Sequence, residues 1–209
     1  MRLIERLERE GAFLFRWRSF LPLVVVPAAV PALYEAARFE AVWGPTAHHA
    51  WVYACMALSF VGLGIRWMTV GFVPAGTSGR RTRSQQAEVL NTTGMYSIVR
   101  NPLYLGNFLA ILGLALSTED WRFVLLVCSA YWLYIERVIA AEERFLAGKF
   151  GARYEEWARD TPAFIPSFSR WRSPAEAFSL RTVLRREYNG FLAVAASYFV
   201  LEAITDLVI

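Results

Sequence analysis

Charge is scarce in this chain. Only 19% of its 209 residues are Asp, Glu, Lys or Arg, below the roughly one quarter usual for soluble domains. Lysine is nearly missing: among 22 Lys and Arg, Lys149 is the single lysine and the other 21 are arginine. Cysteine is limited to Cys55 and Cys128, both inside apolar stretches. Their spacing supports neither a disulfide nor a metal site, so they read as small buried thiols and no metal is expected. No internal repeat and no low-complexity tract is found, which argues against a solenoid or a disordered chain. A cleavable secretory signal is not expected either. The first apolar block is too long and too rich in proline, and no small-residue cleavage pattern follows it.

Apolar side chains are what the sequence has in excess. They make up 56% of the chain, and aromatics alone 15%, with eight tryptophans. They gather in blocks of membrane-crossing length, since a ~30 Å hydrocarbon core needs about 20 helical residues. Five such blocks stand out, at 20–37, 48–67, 102–117, 121–135 and 189–209. The expected fold is therefore an all-α, polytopic membrane bundle of about five transmembrane helices, one membrane domain over 1–209. Pro22, Pro27 and Pro31 predict a kinked first helix. Residues 1–18 place Leu3, Leu7 and Leu14 at helical spacing among Arg and Glu, the pattern of an amphipathic helix lying on the bilayer surface. The fourth block continues its helical pattern to Phe150, beyond what a bilayer covers, so its end is expected to project from the membrane. Gly148 and Gly151 are expected to interrupt it, a short helical piece to follow over 154–159, and Thr161–Pro162 to end that piece. Residues 167–179 are expected to lie along the interface before the last span.

The arginines orient the bundle. Five lie before the first span and five between spans two and three; ten Lys and Arg lie between spans four and five, leaving Arg38 and Arg122 on the remaining connections. Positive charge collects in cytoplasmic loops, so the N-terminus and both long loops are expected in the cytoplasm. Anionic lipid head groups account for the basic excess, and no nucleic-acid motif accompanies it.

Two polar clusters flank the hairpin formed by spans three and four. The first runs over 94–106 and contains Gly94, Tyr96, Arg100, Asn101, Pro102, Tyr104 and Gly106. Proline suits the first position of a helix, so Arg100 and Asn101 mark a helix N-terminus, an end that favours anions. Gly106 permits close approach of a ligand or of neighbouring backbone. The second cluster holds Glu142, Glu143, Tyr154, Trp157 and the stretch Thr161–Pro162–Ala163–Phe164–Ile165–Pro166. Two adjacent carboxylates near a head-group layer are costly, which marks them as functional candidates. Tyr154 and Trp157 read as interface anchors. Because a hairpin returns the chain to its starting side, the two clusters are expected to meet.

In this order and separation the clusters resemble the isoprenylcysteine carboxyl methyltransferase and phospholipid methyltransferase superfamily, integral membrane enzymes that use S-adenosylmethionine. The resemblance covers 94–166, a methyltransferase-like core. It rests on Gly94, Tyr96, Arg100, Pro102, Tyr104, Gly106, Glu142, Glu143, Tyr154 and Phe164–Ile165–Pro166. It implies a cofactor pocket on the cytoplasmic side, with Tyr96, Arg100, Asn101, Pro102, Tyr104, Gly106, Glu142, Glu143 and Tyr154 binding S-adenosyl-L-methionine. Arg100, Asn101, Tyr104 and Glu143 would carry the transfer to a lipid head group or lipidated small molecule, whether carboxylate, phosphate or amine. Position 101 is Asn where eukaryotic carboxyl methyltransferases have His, and Asn cannot shuttle a proton near neutral pH. The helix at 189–209 lies beyond the shared core. Arginine-rich composition suggests a bacterium, and hence the inner membrane and a lipid acceptor. Membrane sterol and steroid reductases, which use NADPH, share a similar C-terminal pattern and form an alternative; a non-catalytic membrane scaffold is another.

Overall fold

A computed structural model describes residues 26–73 and 88–208. The surface helix expected over 1–18 lies outside the described residues. Helices dominate: α1 (Val26–Trp43), α2 (Pro45–Gly71), a short α3 (Met95–Ile98), α4 (Pro102–Leu116), α5 (Trp121–Phe150), α6 (Ala152–Asp160), a 3-10 turn (Phe168–Arg170) and α7 (Leu180–Val208). Three stretches, Pro45–Gly71, Trp121–Phe150 and Leu180–Thr205, are long and apolar enough to cross a membrane, and Pro102–Leu116 is a shorter apolar helix. The protein is thus an all-helical membrane bundle. Pro31 lies within α1. Ser117 to Asp120 form the tight link between α4 and α5, as expected for a hairpin.

Two expectations shift. Gly148 does not interrupt α5, which runs through it to Phe150. Gly151 alone ends the helix, at φ 54°, a left-handed conformation that glycine adopts without a Cβ clash. The last helix begins at Leu180, well before the apolar block at 189. Ser179 N donates to Gly71 O at 2.9 Å, which ties the start of α7 to the end of α2.

The bundle is built on close packing of α2 against α4. A Cβ on Gly62 would lie 2.5 Å from Gly106 O, and one on Gly106 would lie 2.6 Å from Gly62 O. Ser59, one turn before Gly62, donates to Ala110 O at 2.9 Å and meets the Tyr198 hydroxyl of α7 at 2.9 Å. Small residues at helical spacing let the backbones touch, which replaces the hydrophobic drive that lipid removes. The same contact explains the glycine of the first cluster: the space over Gly106 is taken by Gly62 and by the stem of Arg66, whose Cγ would lie 2.6 Å from an added Cβ.

Arg66 then reaches α7. Its Nε donates to Glu187 Oε2 at 2.7 Å and its Nη2 to Glu187 Oε1 at 2.9 Å, while Nη1 donates to Asn107 Oδ1 at 2.6 Å. Glu187 is buried. Charges at membrane depth need such partners, and a fork on a carboxylate supplies two parallel bonds. The pair therefore fastens α7 to the α2/α4 core.

The opposite end is closed by a second polar cluster. Glu119 holds φ 58° in the α4–α5 link, and its Oε1 lies 3.1 Å from His48 Nδ1 with both side chains nearly fully buried. Its Oε2 is buried without a partner. Asp120 caps α5 by accepting from Arg122 N at 2.9 Å, and bonding to Arg122 holds its carboxyl below the usual range. Burial pushes the Glu119 carboxyl up to about 7, opposed by His48 and reinforced by Glu40.

Two outcomes follow for stability. In Gly106→Ala the added methyl must displace backbone or the Arg66 stem, so thermal unfolding in detergent should show a loss of about 1–3 kcal/mol, typical of overpacking. Glu119 has a folded-state pKa above its unfolded value, so its stabilising contribution is full below about 4.5 and lost as pH rises through about 7. Glu119→Gln, which mimics the protonated acid, should melt close to wild type at low pH and increasingly above it as pH rises through about 7; a pH-independent difference would contradict the assignment.

Candidate functional site

The corner before α4 is where the two clusters meet. Val99 is extended, and Pro102 opens α4 with Asn101 at its cap. Pro102 fits there because its missing N–H would have no helical partner. This geometry sends the Arg100 side chain toward α5 and α6. Arg100 Nε donates to Glu143 Oε1 at 2.8 Å and Nη2 to Glu143 Oε2 at 3.3 Å. Its Nη1 donates to Ala158 O at 2.6 Å and Thr161 O at 3.1 Å, carbonyls at the C-terminal end of α6. Cations stabilise helix C-termini, so Arg100 both caps α6 and pairs with α5. Four of its five N–H groups are thereby engaged.

Asn101 extends the same contact. Its Nδ2 donates to Ala163 O at 3.0 Å and approaches Glu143 Oε1 at 3.5 Å. One turn into α4, the Tyr104 hydroxyl donates to Glu142 Oε2 at 2.8 Å, and Tyr104 O accepts from the Tyr131 hydroxyl at 2.6 Å. The adjacent glutamates thus have separate tasks: Glu143 meets Arg100 and Asn101, Glu142 meets Tyr104.

Tyr154 is not a surface anchor, and Trp157 is half-buried. Tyr154 is buried, its ring lies 5.6 Å from that of Trp157, and Trp157 Nε1 donates to Tyr96 O at 3.1 Å. The pair packs α6 onto α3 within the site. An indole N–H and a phenol in a dry contact need partners, and only the indole has one here. The Tyr154 hydroxyl is buried without a partner. Burial raises its pKa first, and Glu143 adds to the shift. Tyr96 is raised likewise, by burial and then by Glu142. Both phenols stay protonated at neutral pH and so can donate a hydrogen bond but not act as bases.

The sequence-expected residues fall into three groups. Arg100, Asn101, Tyr104, Glu142, Glu143, Tyr154 and Tyr96 gather at one end of the bundle. Pro102 is buried at the corner and sets its shape. Gly106 faces α2, where its freedom serves helix packing. Sequence reading missed the carbonyl acceptors at Ala158, Thr161 and Ala163, which have no side-chain signal. It also counted Arg66 with the connection between spans two and three and missed its partners Asn107 and Glu187, although an arginine inside the apolar block 48–67 was itself a signal. Among the described residues, no group of three or more His, Cys, Asp or Glu could hold a metal ion.

The phospholipid methyltransferase family matches residues 52–153, which take in Arg100, Glu142 and Glu143 and stop before Tyr154. The chain is similar to the nickel-cobalt-cadmium resistance protein NccN of Alcaligenes xylosoxydans xylosoxydans, 36% identical over 165 residues, covering 78% of this chain and 70% of that protein. It is also similar to the cobalt-zinc-cadmium resistance protein CzcN of Cupriavidus metallidurans, 34% identical, covering 77% and 68%. Protein-S-isoprenylcysteine O-methyltransferase of Schizosaccharomyces pombe is 31% identical over 55% of this chain and 50% of its own length. No solved structure matches the chain significantly. With its helical membrane bundle and its paired Arg-Asn-Pro and Glu-Glu clusters, the chain belongs to the phospholipid methyltransferase family of integral membrane methyltransferases.

Proposed function

We propose that the protein transfers a methyl group from S-adenosyl-L-methionine to a lipid head group or lipidated small molecule at the cytoplasmic leaflet, in a bacterial inner membrane. The observation that carries this reading is the meeting of Arg100 with Glu143 and of Tyr104 with Glu142 beside a buried, unpartnered Tyr154 hydroxyl. In the sequence, 20 of the 22 Lys and Arg fall before the first apolar block or at the two long connections, which supports a cytoplasmic orientation of those segments.

The residues present suit that cofactor. Carboxylates of Glu142 and Glu143 match an ammonium or ribose hydroxyls. The Tyr154 hydroxyl offers a donor whose partner must come from outside the protein's own bonds. Aromatic faces at Tyr96, Tyr154 and Trp157 match a sulfonium or an adenine. When bound, the cofactor supplies an already activated methyl, so the protein's share is positioning and exclusion of water.

Within that frame, Arg100 acts chiefly through Glu143. A bidentate grip on an anion would require it to release Glu143, since one N–H remains outside its present bonds. Asn101 holds the loop after α6 and orients Glu143 without moving a proton. A carboxylate or phosphate acceptor needs no base. An amine acceptor must shed a proton, and Glu143 is the group in reach. The domain reading follows: 94–166 forms the transfer core, and α7 is an added buttress joined through Glu187.

Purified protein should retain labelled S-adenosylmethionine and not labelled NADPH. Glu142→Gln and Glu143→Gln should each weaken retention at least about tenfold, or about 1.4 kcal/mol, with helix content unchanged. Lipid extracts of expressing cells should contain a species heavier by one methyl than in cells without the protein. Retention of NADPH, or of neither molecule, would overturn the proposal.

A further inference from the structure

Residues 161–167 form a loop of unusual placement. Both of its ends are pinned to the short corner between the end of α3 and the start of α4. Arg100 N donates to Pro162 O at 2.8 Å, and Ser167 N donates to Ile98 O at 2.9 Å. The tip between these pins must therefore project to one side, and the ring contacts show where. Phe164 lies 5.9 Å from Phe108 and 5.6 Å from Trp132, edge to face in both cases. Phe108 is six residues into α4, or ~9 Å along its axis. Trp132 lies in the apolar part of α5 and is itself half exposed, as is Leu133. Phe164 also packs against two buried clusters, Ile98, Val99 and Leu105 around the start of α4, and Tyr131, Ile135 and Val138 on α5.

The tip thus descends past the mouth of α4 to a level where the outward side chains of α5 are apolar. Ile165, next to Phe164, is 80% exposed there. In water an isoleucine so exposed would be merely tolerated; among acyl chains it is in its preferred medium. The composition of the loop suits that medium too. Non-helical backbone survives at membrane depth only where its polar groups find protein partners. Pro162 and Pro166 carry no N–H. The carbonyls of Thr161, Pro162 and Ala163 accept from Arg100 and Asn101. Beyond the loop, Arg170 and Arg172 are exposed and return the chain to a level suited to lipid phosphates.

We propose that residues 162–166 are a membrane-inserted wedge: Ile165 rests among the acyl chains of the leaflet on the site's side, and lipid seats the loop that holds Arg100 and Asn101. The partner is aliphatic hydrocarbon, not another protein. The wedge also makes assembly of the corner sensitive to the bilayer, because Glu143 shares Arg100 and Asn101 with the loop.

Depth is measured directly and does not require that the protein bind any cofactor. Full-length protein carrying Cys55→Ala, Cys128→Ala and Ile165→Cys is spin-labelled and placed in phosphatidylcholine–phosphatidylglycerol nanodiscs; a Glu176→Cys version serves as the aqueous reference. Oxygen should relax the label at 165 several-fold more, relative to a water-soluble nickel complex, than the label at 176. Equal nickel accessibility at the two positions would overturn the wedge. In the same discs Ile165→Asp should melt below wild type while Ile165→Leu melts with it. An aspartate variant as stable as wild type would place residue 165 in water and refute the proposal.

Discussion

One guanidinium holds the site together. Arg100 reaches two elements 43 to 61 residues further along the chain: Glu143 on α5, and the end of α6 at the Ala158 and Thr161 carbonyls. Each bond is of ordinary strength, but their sum sits where water is thin and a lost partner is costly. The fork geometry matters more than the charge. A lysine has no planar pair of donors with which to meet a carboxylate and two carbonyls at once. Much of the chemistry at this end of the molecule depends on that arrangement, which the Asn101 amide reinforces by reaching both Glu143 and the loop carbonyl of Ala163.

The corner in turn rests on helix packing. Without water to drive apolar helices together, α2 and α4 associate through backbone contact at Gly62 and Gly106 and through the Ser59–Ala110 bond. Gly106 lies one turn from Pro102, so the closeness of α2 fixes where α4 begins and hence where Arg100 can point. Arg66 fills the remaining gap and carries the constraint to α7 through Glu187. The two arginines divide the labour: Arg66 secures the scaffold in depth, Arg100 the site at its edge.

Polarity along the bundle is equally plain. The end bearing Arg100 collects arginines and paired donors. The other end carries a buried His48–Glu119 contact, a strained link and an acidic cap at Asp120. These ends are separated by the ~22 Å that the fifteen residues of α4 span. Titration at the Glu119 link therefore concerns closure of the hairpin, remote from the carboxylates of the site.

Much of this was readable in the amino-acid order alone. Apolar runs set by bilayer thickness located the helices, including the full extent of α5 from Trp121 to Phe150. The arginine distribution gave the bundle two unlike ends, and the short Ser117–Asp120 link predicted that the two polar clusters would converge. Those inferences are local: each depends on period, length or the chemistry of a few neighbouring residues. What only the tertiary structure decided are the partnerships across the chain. It turned Tyr154 inward, assigned Gly106 to a neighbouring helix, gave Arg100 three backbone and side-chain partners at once, and revealed Arg66 with Glu187. No periodicity encodes which carbonyl a guanidinium will cap, because that choice is made by distances between segments that meet only after the helices have packed.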